Sequence, residues 1–420
     1  MQYIQYYFVY VLMLIALGIY DKNSGRRIVN LIKKDRLYLC WLLMSISIFD
    51  YKIAILQRAI RLIATGFTLL YSLKRISYNG FRTYWIAIPF TCFWFVAAGS
   101  LIYTVDFIET FFKIFEILAD FLLIVALFQN DDQDETIKDI LKITVGMYIF
   151  MLVAAAIGFI LLRNVGIFGR TNDGLLGMQL MGGIVGANSI GNMAVILWIW
   201  LINKPKFKYK LVLYGLSLFI ILFAQSRTSL ILMAVMLLFN IFGAKHKVVY
   251  IGAIAILVAV LINAQDLVSE YFIRGAAMSN ITSMSGRTKM WEVAREYIAV
   301  RPLLGYGYGV GGYIVSSRFE DMSSLHNGVY ETLMGIGYLG LIPQVMIYVG
   351  TCLGIGIRIL KNGIKRYTFE CMVIIYLTVR TYTSTGIGGW HSHEMIVWLF
   401  LAMMVASMNS HSSYRDIAKE

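Results

Sequence analysis

Proline is nearly absent, with four in 420 residues, and charged side chains reach only 15% against about 25% in a typical soluble domain. The first shortage excludes collagen-like and proline-rich disordered chains. The second excludes a well-solvated surface. Acidic residues are scarcer still, 24 against 37 Lys and Arg, leaving a net charge of +13. Cysteine is also rare: Cys40, Cys92, Cys352 and Cys371 fall in four separate apolar stretches, and none forms a C-x-x-C pair. That pattern supports neither a zinc site nor a disulfide framework, and the four read as small buried hydrophobes. What is abundant is apolar: 59% of residues are hydrophobic and the mean hydropathy is +0.70. A basic balance can signal nucleic acid, but a chain this apolar has few places for a solvated basic face. The class is a polytopic membrane protein with no nucleic-acid partner.

A span needs about 20 mostly apolar residues with polar or charged ends. The chain offers thirteen candidates: 3–20, 37–50, 53–73, 84–103, 108–128, 140–162, 184–202, 211–225, 228–242, 248–264, 332–357, 369–386 and 394–409. The first carries no basic leader and no small-residue cleavage site, so it is expected to be a span and not a cleaved signal peptide. Two candidates mark the uncertainty in number: 37–50 is short, and 53–73 carries Arg58 and Arg61. The fold expected is an all-α polytopic membrane protein of about 12–14 transmembrane helices. Lys22, Lys33, Lys34, Arg36, Lys74, Arg75, Lys204 to Lys210, Lys245, Lys247, Lys361 and Lys365 fall in alternate loops, which are therefore cytoplasmic. Four segments follow: transmembrane helices over 1–162; helices with outer arginine loops over 163–264; an extracytoplasmic loop over 265–327; and transmembrane helices over 328–420.

The 265–327 loop is too long to be structureless inside a compact domain, so a partly helical, functional element is expected. Within it, Ser285-Gly286-Arg287-Thr288-Lys289-Met290-Trp291 begins a short amphipathic helix, with Ser285 as N-cap and Met290, Ala294 and Tyr297/Ile298 on one face; Pro302 ends it. Arg287 then sits in a first turn, where free N–H groups and the helix dipole favour an anion and not a cation. An anionic ligand compensates; the bland alternative is a pair with Glu292 or Asp321. The run Arg301-Pro302-Leu303-Leu304-Gly305-Tyr306-Gly307-Tyr308-Gly309 has no preceding strand and no Lys-Thr, so it is not a nucleotide loop. Its glycines allow tight turns or close backbone approach. Tyr306 and Tyr308 either stack on sugar faces or form an interfacial belt.

His326, in Ser324-Leu325-His326-Asn327-Gly328-Val329-Tyr330-Glu331, stands where the loop re-enters the membrane. An imidazole kept neutral by neighbouring arginines can take a proton from a hydroxyl. Arg227, in a minimal turn between spans, Arg170, in Gly169-Arg170-Thr171, and Arg380 lie at the same face. Arginines gathered without matching carboxylates point to a phosphorylated ligand, because guanidinium forks suit phosphate oxygens. His391 and His393 with Glu394 are a weak metal signature lacking a third histidine, and no metal or other cofactor is expected.

Taken in order, Ser226-Arg227, Ser285-Gly286-Arg287…Trp291, Arg301-Pro302-Leu303-Leu304-Gly305-Tyr306-Gly307 and His326-Asn327…Glu331…Gly337-Tyr338-Leu339-Gly340 resemble the O-antigen ligase and O-antigen (Wzy-type) polymerase superfamily of membrane glycosyltransferases. The resemblance covers roughly residues 165–345 and departs from relatives at Gly328-Val329. It implies a GT-C-like, multi-pass enzyme of the bacterial cytoplasmic (inner) membrane with its site on the extracytoplasmic side. The activity implied is inverting, metal-independent glycosyl transfer from a polyprenyl-diphosphate-linked oligosaccharide, which in a polymerase of O-antigen, capsule or exopolysaccharide units is both donor and acceptor. A chain-length regulator and a flippase are the protein partners it suggests. In this scheme His326, Arg287 and Arg227 are catalytic, and Arg170, Arg380, Arg301, Asn327, Glu331, Tyr306 and Tyr308 bind substrate.

Two alternatives stay open at this stage. A ligase would transfer the same glycan to a lipid A core or a protein. A lipid-linked sugar flippase would place its charges along a mid-membrane path, for which Arg58, Arg61, Lys113 and Glu116 are the candidates.

Overall fold

The computed structural model describes residues 27–49, 54–79, 84–130, 132–171, 177–204, 208–243, 287–316, 324–384, 386–388, 391–407 and 413–414. The predicted spans 3–20 and 248–264, and the Ser285 cap, lie outside them. Each of the other eleven predicted spans coincides with a helix. In chain order the helices are α1 (Arg27–Lys34), α2 (Arg36–Ser47), α3 (Ala54–Asn79), α4 (Ala87–Gly99), α5 (Phe107–Leu127), α6 (Gln133–Leu162), α7 (Ala187–Asn203), α8 (Lys210–Phe223) and α9 (Arg227–Gly243). They continue as α10 (Arg287–Val300), α11 (Gly311–Ser316), α12 (Gly328–Asn362), α13 (Thr368–Thr383) and α14 (His393–Ser407). A single hairpin, β1 (Gly169–Thr171) with β2 (Met178–Leu180), is the only sheet among the described residues.

Short polar residues set where these apolar runs begin. Asp106 caps α5 by accepting from the Glu109 amide at 3.0 Å, and Asp132 caps α6 through the Glu135 amide at 2.8 Å. Two helices, α6 and α12, are long and apolar enough to cross a membrane, and six more apolar helices run 10–17 residues. The exposed faces carry the stronger argument. Leu339, Ile342, Met346, Val349, Leu353, Ile357 and Leu360 of α12 recur at helical spacing and are all exposed, Leu360 to 87%. A stripe that long is untenable in water and natural against hydrocarbon. The chain is an all-α membrane protein.

One core runs through the helical bundle, and a second, smaller one joins Met290, Ala294 and Ile298 of α10 to Val315, Leu325, Leu333 and Met334. The buried face of α10 is thus the face its sequence pattern predicts. That small core fastens the loop element to one end of the bundle, the end reached by the N-termini of α9, α12 and α14 and the C-terminus of α13. Lys33, Lys34, Lys74 and Arg75 gather at the opposite end, around a cavity of about 760 Å³ where Glu135 and Asp35 partner Lys34 and Arg75.

A break in α12 explains the glycine-rich run. Ile336 and Gly337 leave helical geometry, freeing the carbonyls of Met334 and Gly335. The amides of Tyr306 and Gly307 take them at 2.8 Å each, and Tyr338 donates to Pro302 at 2.8 Å. Gly337 adopts φ 60, and a Cβ there would stand 2.3 Å from the Leu303 carbonyl. Gly337→Ala is therefore expected to cost about 1–3 kcal/mol, read as a lower midpoint in thermal unfolding of the purified protein in nanodiscs.

Candidate functional site

Four side chains from separate parts of the sequence converge at the α10 end of the bundle: Arg227, Arg287, His326 and Arg380. Arg227 opens α9 two residues after Gln225, one of two non-glycine residues with positive φ among those described. The other is His326 itself, at φ 50. Backbone strain of this kind persists only where surroundings over-determine it. Both instances flank this site.

The loop holding His326 is braced from three directions. Asn327 caps α12, its side-chain oxygen accepting from Val329 and Tyr330 at 3.0 and 3.2 Å. Glu331, buried one turn into α12, accepts from Ser324 Oγ at 3.0 Å and from the Leu325 amide at 2.7 Å. Trp291 of α10 donates to the Leu325 carbonyl at 2.9 Å and stacks on Tyr330. Asn327 and Glu331 therefore spend these contacts holding backbone around the imidazole. The His326 ring makes no hydrogen bond among the described residues. Its pKa is pushed down to about 4, first by burial and then by the Arg287 and Arg380 guanidiniums beside it. At neutral pH the ring is uncharged and able to accept a proton.

Arg287 begins α10 and donates through Nη1 to the carbonyl of Thr383, the last residue of α13, at 3.0 Å. A cation at that helix end is electrostatically favoured. Neither Glu292 nor any other described carboxylate pairs with it. Burial holds its pKa below the usual guanidinium range, and Arg380 and Arg227 add to the shift. The three guanidiniums thus share one electrostatic neighbourhood. Arg227 Nε is buried with no hydrogen-bond partner among the described residues. Only Arg380 has a carboxylate: Glu394 Oε1 takes its Nε at 2.9 Å and Nη2 at 2.8 Å, with both side chains under a tenth exposed. Asp321, the other partner considered for Arg287, lies outside the described residues; among those described the cluster keeps an uncompensated charge of two, suited to a dianion.

Glu394→Ala would strand Arg380 as a buried unpaired cation. It is expected to destabilise the protein by about 3–5 kcal/mol, measured by thermal unfolding in nanodiscs, with Glu394→Asp recovering part of the loss.

Arg170 stands on the hairpin and is exposed. Its cross-strand partner Gln179 donates to the Ala224 carbonyl at 2.8 Å, and Gln225 donates back to Met178 at 3.3 Å. Directly opposed strand residues project to one face, so exposed Arg170 shares a face with the residue that grips the Arg227 turn. Three sequence candidates stand elsewhere. Arg301 is exposed and lies over the Tyr306 ring, 4.9 Å from its centroid, while Tyr306 donates to the Tyr297 carbonyl. Tyr308 is 3% exposed and packs edge-on against Phe93, so its ring offers no open face to a sugar.

Glu394 was not recognised from sequence as a site residue, although an arginine at membrane depth signals a buried carboxylate partner. His391 is likewise occupied, its Nδ1 at 2.7 Å from Asp120 and its Nε2 at 2.8 Å from Ser47. Of the His-x-His-Glu signature, His391 is taken by Asp120 and Ser47 and Glu394 by Arg380, while His393 Nε2 has no partner among the described residues, and no group of three or more potential metal ligands occurs among them. Of the four charges considered for a mid-membrane path, Arg58 is exposed and the other three are paired. Arg61 forks onto Glu116, and Lys113 donates to the Gly309 carbonyl at 2.6 Å and meets Glu109 at 2.9 Å.

An apolar groove of about 300 Å³ starts at Gly328 and Val329, beside His326, and runs between α12 and α13 past Leu341, Val345, Tyr348 and Tyr382. A cluster of guanidiniums with an uncharged histidine, close to the head of an apolar groove, is an arrangement suited to an anionic ligand with an apolar tail.

Residues 212–343 match the O-antigen ligase family. The match spans about a third of the chain, from α8 into α12, and includes Arg227, Arg287 and His326 while leaving Arg170 and Arg380 outside. It supports a glycan-transferring membrane enzyme of the O-antigen ligase and polymerase superfamily. No curated protein matches the chain.

Proposed function

We propose that the protein is a polysaccharide polymerase. It joins polyprenyl-diphosphate-linked oligosaccharide repeat units by inverting, metal-independent glycosyl transfer at the outer face of the bacterial cytoplasmic membrane. The observation that carries this reading is the placement of Arg287 and Arg380 beside a neutral His326, with Arg227 acting on Arg287, near the mouth of an apolar groove. The lysine-rich opposite end supports the orientation by the positive-inside rule.

In the reaction, the acceptor hydroxyl lies against the His326 ring and attacks the anomeric carbon of the donor sugar from the face opposite the diphosphate. The new C–O bond forms as the bond from that carbon to the phosphate oxygen breaks. The electron pair leaves with the polyprenyl diphosphate. The hydroxyl proton passes to an imidazole nitrogen and from the imidazolium to water. Arg227 and Arg287, with Arg380 behind them, stabilise the charge growing on the leaving diphosphate. Arg170 reaches the same anion from the hairpin. The groove between α12 and α13 holds the first isoprene units of the lipid. Asn327 and Glu331 act through the loop they brace. Arg301 with Tyr306, and Tyr308, stay outside this step. A chain-length regulator and a flippase would work beside the enzyme in the same membrane.

The family name favours a second reading, in which the same chemistry delivers glycan to a lipid A core or protein acceptor. For the polymerase speaks the restriction of recognisable likeness to residues 212–343, the segment that holds Arg227, Arg287 and His326. Deletion in the native host separates the two. Loss of long chains with single-repeat glycan retained supports the polymerase, and loss of all attached glycan overturns it in favour of the ligase.

A further inference from the structure

Behind Arg380, inside the helical bundle, lies a second cavity of about 150 Å³. Helices α6, α7, α13 and α14 wall it, with Ile48 at the end of α2 closing one side. At ~30 Å³ per water it has room for about five, roughly the bulk of one pyranose ring.

Its lining fits a neutral polyol. Arg380 and Glu394 both border it, but they are paired with each other, so the cavity carries little net charge. Around them stand the hydroxyls of Ser189 and Ser392 and the aromatic rings of Tyr148 and Tyr376. Hydroxyls able to donate or accept, next to aromatic faces, suit a ring with polar rims and C–H faces. Three buried polar atoms of the lining have no hydrogen-bond partner among the described residues: Asn192 Nδ2, Tyr376 Oη and His393 Nε2. Asn192 is 4% exposed, and its Oδ1 already accepts from Ser229 Oγ at 3.1 Å, which in turn meets Ser226 Oγ at 2.8 Å. That chain ties Asn192 to the turn that carries Arg227 and leaves its amide N–H₂ for something else. Buried donors without partners are costly and mark where a ligand or water belongs.

The geometry points to an acceptor subsite: the cavity receives the terminal, non-reducing sugar of the acceptor glycan and holds it through Asn192 and His393. The inference rests on the proposed glycan transfer. Its physical basis is that Arg380 lines the cavity and its charge also acts on His326 and Arg287. A pocket of one-sugar size enclosed by helices admits a chain end and no more. It would select the sugar that is extended, while the donor chain stays free to be of any length.

The test uses the purified full chain in nanodiscs, with lipid-linked repeat unit extracted from cells lacking the enzyme as donor. Soluble aryl glycosides differing only in their terminal sugar serve as acceptors. One terminal sugar should be strongly preferred. In Asn192→Ala and Asn192→Leu its KM should rise about tenfold or more, while the donor concentration giving half-maximal rate stays as in wild type. If either variant fails to fold, Ser189→Met, at a half-buried position in the first turn of α7, fills the same space and should have the same effect. An unchanged acceptor KM in the folded variants, with His326→Ala inactive, overturns the subsite and identifies the cavity as a water site. Full activity in His326→Ala instead overturns the catalytic reading beneath it.

Discussion

His326→Ala is expected to lower glycan transfer by about 10²–10⁴-fold, the range ascribed to a positioned general base. Donor binding should survive, because the guanidiniums that hold the diphosphate are untouched. The pH dependence gives the sharper signature. In the free enzyme the imidazole titrates at about 4 in place of the ordinary 6.5. The acidic limb of kcat/KM should therefore fall near pH 4, and activity should be flat where an unperturbed histidine would already be protonated. Removing a neighbouring positive charge stabilises the imidazolium, so Arg287→Gln should move that limb upward in its residual activity. Bound diphosphate also offsets the guanidiniums, so the limb in kcat should lie above that in kcat/KM. The sign for stability agrees: between pH 4 and 6.5 the unfolded chain binds the extra proton, so this group favours the fold more as pH rises through that window. A limb near 6.5 in both the wild type and Arg287→Gln would remove His326 from the role of base.

Arg287→Gln carries the second large effect, a loss of about 10²–10³-fold in kcat. Arg287 is placed to do two things. Its Nη1 is committed to the Thr383 carbonyl at the end of α13, and its other N–H groups take no partner among the described residues. Arg287→Lys should recover little, since an ammonium cannot serve the carbonyl and a phosphate fork from one planar group. The measurement is single-turnover transfer with saturating lipid-linked repeat unit, reported beside donor affinity. A lower rate at nearly unchanged affinity marks an interaction made mainly in the transition state. A rise in KM alone, with kcat intact, would make Arg287 a ground-state binding residue.

The helices were legible because their apolar runs and capping aspartates are local signals, and so was α10, whose buried Met290, Ala294 and Ile298 follow helical spacing. The chemical type of the site was legible too: arginines at one membrane face and a histidine where a loop returns. Its pairing was not. Arg380 and Glu394 are separated by a glycine-rich turn, and nothing local says that this carboxylate meets that arginine in place of binding metal with His391 and His393. Asn327 and Glu331 are expected from sequence to bind substrate and instead hold the His326 loop, because sequence gives a side chain's capacity to hydrogen-bond and not the partner it takes. Here the partners are backbone amides. Tyr308 looks like a surface aromatic because it sits among glycines. The run folds back onto the broken turn of α12 and carries Tyr308 under Phe93. The long-range closure that buries it has no counterpart in the local pattern.

The central claim is that this chain makes a glycosidic bond with His326 as base and arginines on the leaving diphosphate. Its most direct test is reconstitution of purified protein with lipid-linked oligosaccharide in the presence of a chelator. Product glycans are resolved by length for the wild type and for His326→Ala, with donor binding recorded for both. The prediction is a ladder of extended glycan and released polyprenyl diphosphate from the wild type, and neither from His326→Ala despite retained binding. Bond formation at the wild-type rate by His326→Ala would contradict the account. So would a wild-type protein that moves the lipid-linked substrate across the bilayer without lengthening it.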